Sequence, residues 1–199
     1  MNVPEKLDRC FALWICLIVF IFAGPAATHA QNSTASNTAA CGKAKVTLAN
    51  PEYLTTPLGI VVVEPPPTWS LDKSRKDPFY FFRRGENYEN AKTLIYINVE
   101  RLEVPFDRAV QNDKESFQEH CHSSRVQDVS KPELLEQGCQ ATTQMFFCDR
   151  KQKPYVDLAT KISIGGLLVN VVLSADAAAE IEKYRKDYEF LLKHLTIAN

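Results

Sequence analysis

The chain has 199 residues, in which 23 Lys and Arg side chains stand against 24 Asp and Glu, for a formal net charge of −1. Nucleic-acid binders draw much of their affinity from a basic excess, so this balance predicts that nucleic acid is not a partner. The length suits one domain that is large enough to bury a core of its own.

The first 30 residues have the layout of a secretory signal peptide. Lys6 and Arg9 precede an apolar run from Cys10 to Ala23, and small residues continue to Ala30. We predict cleavage after Ala30 and export to the periplasm or the cell exterior, because the basic residues precede the apolar run. The alternative is an uncleaved N-terminal anchor with the domain outside the cytoplasm, since about 20 apolar residues span a bilayer. Membrane contact is predicted only for such an uncleaved segment.

The rest of the chain is predicted to be a flexible leader, residues 31–55, followed by a single domain, residues 56–199. The leader is inferred because large apolar side chains are scarce over residues 31–49. Short β-branched or aromatic runs predict strands over residues 59–64, 79–84 and 93–102, and Trp69 and Leu71 open a further short extended segment. In the last of these, Ile95, Ile97, Val99 and Arg101 share the more apolar face, which we expect to face the core.

The second half of the domain predicts a helix, a three-stranded meander and a final helix. The first helix is expected over residues 107–122, where apolar side chains recur at helical spacings. The meander has strands over residues 139–148, 155–164 and 167–174, and Gly165-Gly166 suits a two-residue hairpin loop. The final helix is expected over residues 176–197, with an apolar stripe that needs a sheet to cover it.

Four cysteines remain after the signal segment, Cys41, Cys121, Cys139 and Cys148, and an even number in an exported chain predicts two disulfides. Nine strand steps would separate Cys139 from Cys148 by roughly 30 Å, too far for a direct bond. Cys121 therefore pairs with Cys139 or Cys148, and Cys41 with the other. We expect the bond to Cys139, because a crossover helix would end near the start of the next strand.

The order of elements resembles the PsbP-like superfamily, which includes the PsbP subunit of photosystem II, a Ran-binding nuclear-import factor and exported bacterial proteins. The resemblance covers residues 57–197 and rests on Pro-Thr-Trp-Ser-Leu at 67–71, Ile-Ser-Ile-Gly-Gly-Leu at 162–167 and the closing helix at 184–195. It implies an α/β (α+β) fold, in which two helices cover an antiparallel-rich sheet as an α/β/α sandwich. The resemblance also implies that the chain binds other proteins and does not catalyse a reaction. The family has no catalytic residue that could be assigned to a position of this sequence.

One segment suggests an enzyme as the alternative. Glu119-His120-Cys121-His122 contains residue types that bind zinc, and it is the candidate site for a secreted hydrolytic or metal-dependent enzyme. The spacing argues against a metal, because His120 and His122 at i and i+2 do not share a helix face. We therefore predict no catalytic residue, no metal and no cofactor.

An aromatic and arginine-rich stretch predicts a partner surface instead. Aromatic and Arg side chains anchor protein interfaces, and they are concentrated over residues 69–88. The predicted surface consists of Trp69, Tyr80, Arg83, Arg84 and Tyr88. The sequence thus predicts an exported accessory module that binds protein, and it gives no oligomeric state.

Overall fold

The computed structural model describes residues 48–121, 123–129, 140–149 and 154–198. Ten strands and two helices lie within these ranges, and the strands form two antiparallel sheets. In chain order the elements are β1 (Glu52–Thr56), β2 (Gly59–Val63), β3 (Trp69–Leu71), β4 (Phe79–Arg83), β5 (Thr93–Arg101), α1 (Phe106–His120), β6 (Ser124–Val129), β7 (Gln140–Cys148), β8 (Tyr155–Ile164), β9 (Leu167–Ala175), α2 (Ala178–Lys193) and β10 (Leu195–Ala198).

The larger sheet has seven strands in the order β3-β4-β5-β9-β8-β7-β6. Its second half contains the predicted meander, because β7, β8 and β9 pair antiparallel in sequence order. Gly165 and Gly166 join β8 to β9 with φ of 57° and 80°. A two-residue hairpin loop needs positive φ there, which glycine adopts without steric cost.

One face of this sheet carries the main core and is covered by α2. Ile95 and Ile97 on β5 are fully buried in that core, which confirms the predicted inward face. Tyr188 of α2 is also fully buried, and its hydroxyl donates a 2.8 Å hydrogen bond to the Val171 carbonyl on β9. The three-stranded sheet, in the order β1-β2-β10, adds apolar side chains to the same core.

The opposite face of the large sheet is covered near its β6 edge by α1. The ring of Phe117 lies 5.0 Å from that of Phe146 on β7 and 6.2 Å from that of Tyr155 on β8, both at steep angles. Such edge-to-face pairs are favourable geometries for aromatic rings. With a helix on each face, the sheet forms the predicted α/β/α sandwich.

Three strands were not predicted from the sequence. Glu52–Thr56 pairs with β2 and buries Leu54 completely, so the folded part includes residues assigned to the leader. Residues 195–197 were predicted as helix, but Leu195–Ala198 leaves α2 after the turn at His194 and pairs antiparallel with β2. Ser124–Val129 forms β6 at the edge of the large sheet. In all three, pairing with a neighbouring strand determines the conformation.

The predicted bond between Cys121 and Cys139 is wrong, because Cys121 is bonded to Cys148 with a Cα–Cα distance of 5.8 Å. The reason is β6, which follows α1 directly and runs antiparallel to β7. Its register places Ser124 opposite Cys148, so the end of α1 lies beside the end of β7 and not beside its start. Cys41 and Cys139 lie outside the described residues.

Within the described ranges, no helix is both long enough and apolar enough to cross a membrane. Residues 1–30, the predicted signal peptide, fall outside those ranges.

Candidate binding site

The five residues of the predicted partner surface do not share one face of the sheet. Successive side chains of a strand point to opposite faces, and β4 shows this alternation. Phe79 and Phe81 belong to the core beneath α2, whereas Tyr80 and Phe82 belong to a second apolar cluster on the other face. The predicted surface is therefore divided between the two sides of the sheet.

Trp69 and Arg83 hold α2 against the β3–β4 edge. The Trp69 indole Nε1 donates a 2.8 Å hydrogen bond to the Asp187 carboxylate, and its ring packs edge-on against Tyr184 at 5.7 Å. Arg83 donates a 2.6 Å hydrogen bond to the Tyr184 hydroxyl. Trp69 is only 3% exposed, so it is a packing residue in this structure and offers almost no surface to a partner.

Tyr80 and Tyr88 lie on the α1 side, in an aromatic cluster that an arginine covers. Tyr80 is buried, and its ring lies 5.6 Å from the ring of Tyr88. The guanidinium of Arg75 lies 4.2 Å from the centre of the Tyr88 ring, which is a cation–π geometry. Among the five residues of the predicted partner surface, only Arg84 is exposed.

The segment Glu119-His120-Cys121-His122 does not form a reactive cluster in the described structure. Cys121 is buried and its sulfur is bonded to Cys148, so it is not a free thiolate. Glu119 and His120 are exposed at the end of α1, and His120 Nδ1 lies 2.7 Å from the Ser116 carbonyl oxygen. His122 lies outside the described residues. Over the described ranges, no three His, Cys, Asp or Glu side chains are grouped closely enough to hold a metal ion.

A polar row crosses the α1 face of the large sheet, and sequence reasoning missed it. Asn98 on β5 lies directly opposite Asn170 on β9. Asn170 lies opposite Lys161 on β8, which in turn lies opposite Thr142 on β7. Residues that are opposite in an antiparallel pair share a face, so these four side chains follow one line across four strands.

The two asparagines have unsatisfied oxygens. Asn98 and Asn170 are 8% and 7% exposed, and the Oδ1 atom of each is buried and has no hydrogen-bond partner in the described part of the chain. Leaving a buried polar atom without a hydrogen-bond partner costs about 1–3 kcal/mol of folding stability. Native proteins therefore rarely leave such an atom unpaired unless it has another role. The residual exposure of each residue belongs to its other atoms, because the two oxygens are buried.

Charged groups surround this asparagine pair. The Lys161 ammonium contacts the Asp113 carboxylate of α1 at 2.5 Å, with only 4% of the lysine side chain exposed. Glu100 follows Asn98 on the same face of β5 and retains exposure to solvent. Partial burial is the main cause that raises the pKa of Glu100 above its ordinary value; Lys161 lowers the pKa, whereas Asp113 and Asp77 raise it.

We refer to Asn98, Asn170, Glu100, Lys161 and Asp113 as the polar site. Its buried unpaired atoms are the two amide oxygens, and its one ammonium is paired with Asp113. Asp77, from the loop before β4, adds a third carboxylate to the surroundings of Glu100. The arrangement suits a bound group that donates hydrogen bonds. It does not contain a nucleophile next to a base, which acyl or phosphoryl transfer by a side chain needs.

Several solved structures have a similar course of the chain, and three of them share 8–10% sequence identity with it. The Ran-binding protein Mog1p of Saccharomyces cerevisiae matches with a TM-score of 0.48 and 10% identity, over 74% of this chain and 95% of that one. A cyanobacterial PsbP from Synechocystis matches with a TM-score of 0.39 and 10% identity, over 79% and 98%. A Bacteroides thetaiotaomicron protein matches with a TM-score of 0.44 and 8% identity, over 70% of this chain but only 45% of its own length.

With TM-scores below 0.5, these likenesses establish neither a family nor a function for this chain. No family model matches the chain, and no curated protein matches it. Function therefore has to be argued from the residues of this chain.

Proposed function

We propose that this chain is an exported, non-catalytic binding or accessory module that acts through contact with another protein, and that the polar site is where the partner binds. One observation carries the proposal. Asn98 and Asn170 lie opposite each other on a sheet face, and each has a buried, unpaired amide oxygen in a residue that keeps 7–8% of its surface exposed. A partner that donates hydrogen bonds would satisfy both oxygens and recover the cost of leaving them unpaired.

Export is supported by two independent features of the chain. Residues 1–30 carry the pattern of a signal peptide. The Cys121–Cys148 bond is the second feature, since disulfides persist in oxidising compartments and are rare in the reducing cytosol. Both features suit a protein of the periplasm or the cell exterior.

Among the described residues, no observation favours the enzyme alternative. Glu119 and His120 of its segment are exposed at the end of α1, and the one cysteine of the segment, Cys121, is part of the disulfide. The Ran binding of the yeast Mog1p is not carried over to this chain, because that likeness concerns the course of the backbone at 10% identity. The proposal thus depends on the polar site alone.

Site-specific photocrosslinking in the native host tests the proposed function. A photoreactive residue replaces Glu100 at the exposed end of the polar site in one variant and Tyr53 in another. Tyr53 is the matched control, because it is 66% exposed on β1 of the small sheet. We expect a discrete protein adduct from position 100 that is absent from position 53 and that disappears when Asn170→Ala is added. The same adducts from both positions, or none from position 100, would overturn the proposal.

A further inference from the structure

The elements α1 and β6, which we call the α1–β6 segment, bury very few side chains. Phe106 is the one buried residue of α1, and β6 contains none. Among residues 107–121 and 123–129, Cys121 is the only buried one. The other helix, α2, buries five residues in the main core. Elements with few buried contacts open most easily within a folded protein, so the α1–β6 segment is expected to open more easily than α2.

The non-covalent contacts of this segment with the sheet lie close to solvent. Phe117 packs on the rings of Phe146 and Tyr155, but it is itself only half-buried. Asp113, which pairs with Lys161, keeps 16% of its side chain exposed. In the described structure β6 pairs with β7 alone, so it is an edge strand. Water can replace each of these contacts when the segment moves.

The disulfide fastens the segment to the sheet near its middle. Cys121 lies between α1 and β6, and its partner Cys148 is the last residue of β7. The two cysteines are 1% and 0% exposed. The neighbours Glu119, His120 and Ser123 are nevertheless exposed. The bond therefore lies beneath a short exposed stretch of chain, and opening of the last turn of α1 gives access to it.

We infer that the Cys121–Cys148 bond is a redox latch: the oxidised bond holds the α1–β6 segment on the sheet, and reduction lets this segment open as a unit. Opening frees the backbone N–H and C=O groups of β7 that pair with β6. It also uncovers the sides of Phe146 and Tyr155 that Phe117 covers. A free strand edge can accept a further strand. The inference goes beyond the proposed function and does not depend on it.

The switching reaction is thiol–disulfide exchange with a dithiol. A thiolate of the dithiol attacks the Cys121 sulfur, the bond to Cys148 breaks, and Cys148 leaves as a thiolate that takes up a proton. The second thiol of the dithiol then displaces Cys121 as a thiol, and the dithiol becomes a disulfide. Two electrons and two protons thus pass from the dithiol to the protein. A reactive disulfide reverses the reaction and closes the latch.

Reduction of the folded protein is the first test. The protein is treated with dithiothreitol in the absence of denaturant, alkylated with iodoacetamide and mapped by peptide mass spectrometry. We expect both Cys121 and Cys148 to be alkylated while the circular dichroism spectrum remains that of a folded protein. Alkylation of these cysteines only after a denaturant is added would overturn the inference, because the bond would then not respond to a dithiol in the folded state.

Hydrogen exchange shows which part of the fold the bond holds. The quantity measured is the mean amide exchange rate of α1 and β6 divided by that of α2, β8 and β9. This ratio cancels any effect of the bond on the stability of the whole fold. We expect it to rise at least tenfold when the wild type is reduced. An unchanged ratio would overturn the inference, whether both groups of amides accelerate equally or neither does.

Two variants, measured without reductant, assign the effect to one bond. Cys121→Ser/Cys148→Ser should show the same rise in the ratio as the reduced wild type. The matched control Cys41→Ser/Cys139→Ser removes the other two cysteines of the predicted mature chain and should keep the ratio of the oxidised wild type. A rise in the control as large as in the first variant would overturn the inference, as would an unchanged ratio in the first variant.

Discussion

Arg83 donates a 2.6 Å hydrogen bond to the hydroxyl of Tyr184, and so links the end of β4 to α2 across 101 positions of the sequence. The guanidinium also lies 5.3 Å from the centre of the same ring. Trp69 and Asp187 make a second link beside it. These contacts show that part of the aromatic and arginine-rich stretch attaches a helix to the sheet.

Arg83→Ala should therefore destabilise the fold, whereas Arg84→Ala should not. A hydrogen bond from a charged donor contributes about 1.5–3 kcal/mol, and we expect a loss near the lower value because Arg83 is partly exposed. Arg84 is exposed, so its truncation should change the free energy of unfolding by less than about 0.5 kcal/mol. Urea denaturation of both variants measures the difference. Equal effects of the two substitutions would contradict the assigned role of Arg83.

The disulfide should join Cys121 to Cys148 and should matter for stability. In the chain-entropy model a bond between residues separated by 27 positions stabilises the fold by roughly 3–4 kcal/mol. The double variant Cys121→Ser/Cys148→Ser should lose about this amount in denaturant unfolding. Peptide mapping without reduction provides the direct check, and a peptide that links Cys121 to Cys139 would contradict the structure.

The Lys161–Asp113 pair should behave as a buried ion pair. Asp113→Ala leaves a lysine with only 4% of its side chain exposed and no counter-charge, and breaking a buried pair in this way costs about 3–5 kcal/mol. The double variant Lys161→Met/Asp113→Leu should recover most of the loss, because it removes both charges. Glu180→Gln, which breaks the exposed pair with Lys183, is the control and should have little effect on stability. A double variant as unstable as Asp113→Ala would contradict this account.

Stability near neutral pH should increase when Glu100 is neutralised. The pKa of Glu100 is raised in the folded chain, mainly by burial, so the folded state disfavours its ionised form. Wild type and Glu100→Gln should therefore be equally stable below the unfolded-state pKa, near the ordinary value of 4.5. As the pH rises through that value and through the raised folded pKa, wild type should lose stability relative to the variant.

The expected advantage of Glu100→Gln at pH 7 is under about 1 kcal/mol, because Glu100 keeps part of its surface in water. Denaturation of both proteins at several pH values between 4 and 7 measures it, and the effects of other carboxyl groups cancel in the difference. A variant that is less stable than wild type at pH 7 would show that Glu100 is held mainly by attraction to Lys161.

Much of the fold could be predicted, because local patterns encode it. Alternating apolar residues and Gly165-Gly166 specify the meander, and a single apolar stripe specifies each helix. Ser124–Val129 could not be found this way, since Arg125 and Gln127 give it no apolar face of its own. It becomes a strand by pairing with β7. Because this strand was not predicted, the end of α1 was expected beside the start of β7. Cys139 was therefore inferred as the partner of Cys121 in place of Cys148.

The polar site could not be predicted from the sequence for a related reason. Asn98 and Asn170 each stand out as a polar residue within an apolar strand, but the sequence does not say that β5 and β9 are neighbours. The order of the strands alone brings the two amides opposite each other. The five residues of the predicted partner surface do not share one face, because residues that are close in sequence were expected to lie together and β4 directs them to both faces of the sheet.

The affinity of the captured partner for three purified proteins tests the central claim most directly. These proteins are wild type, Asn170→Ala and the control Glu119→Gln, each shown by its NMR spectrum to be folded. We predict at least a tenfold loss of affinity for Asn170→Ala and no change for Glu119→Gln. Wild-type affinity in folded Asn170→Ala would contradict the claim that this protein binds its partner through the polar site.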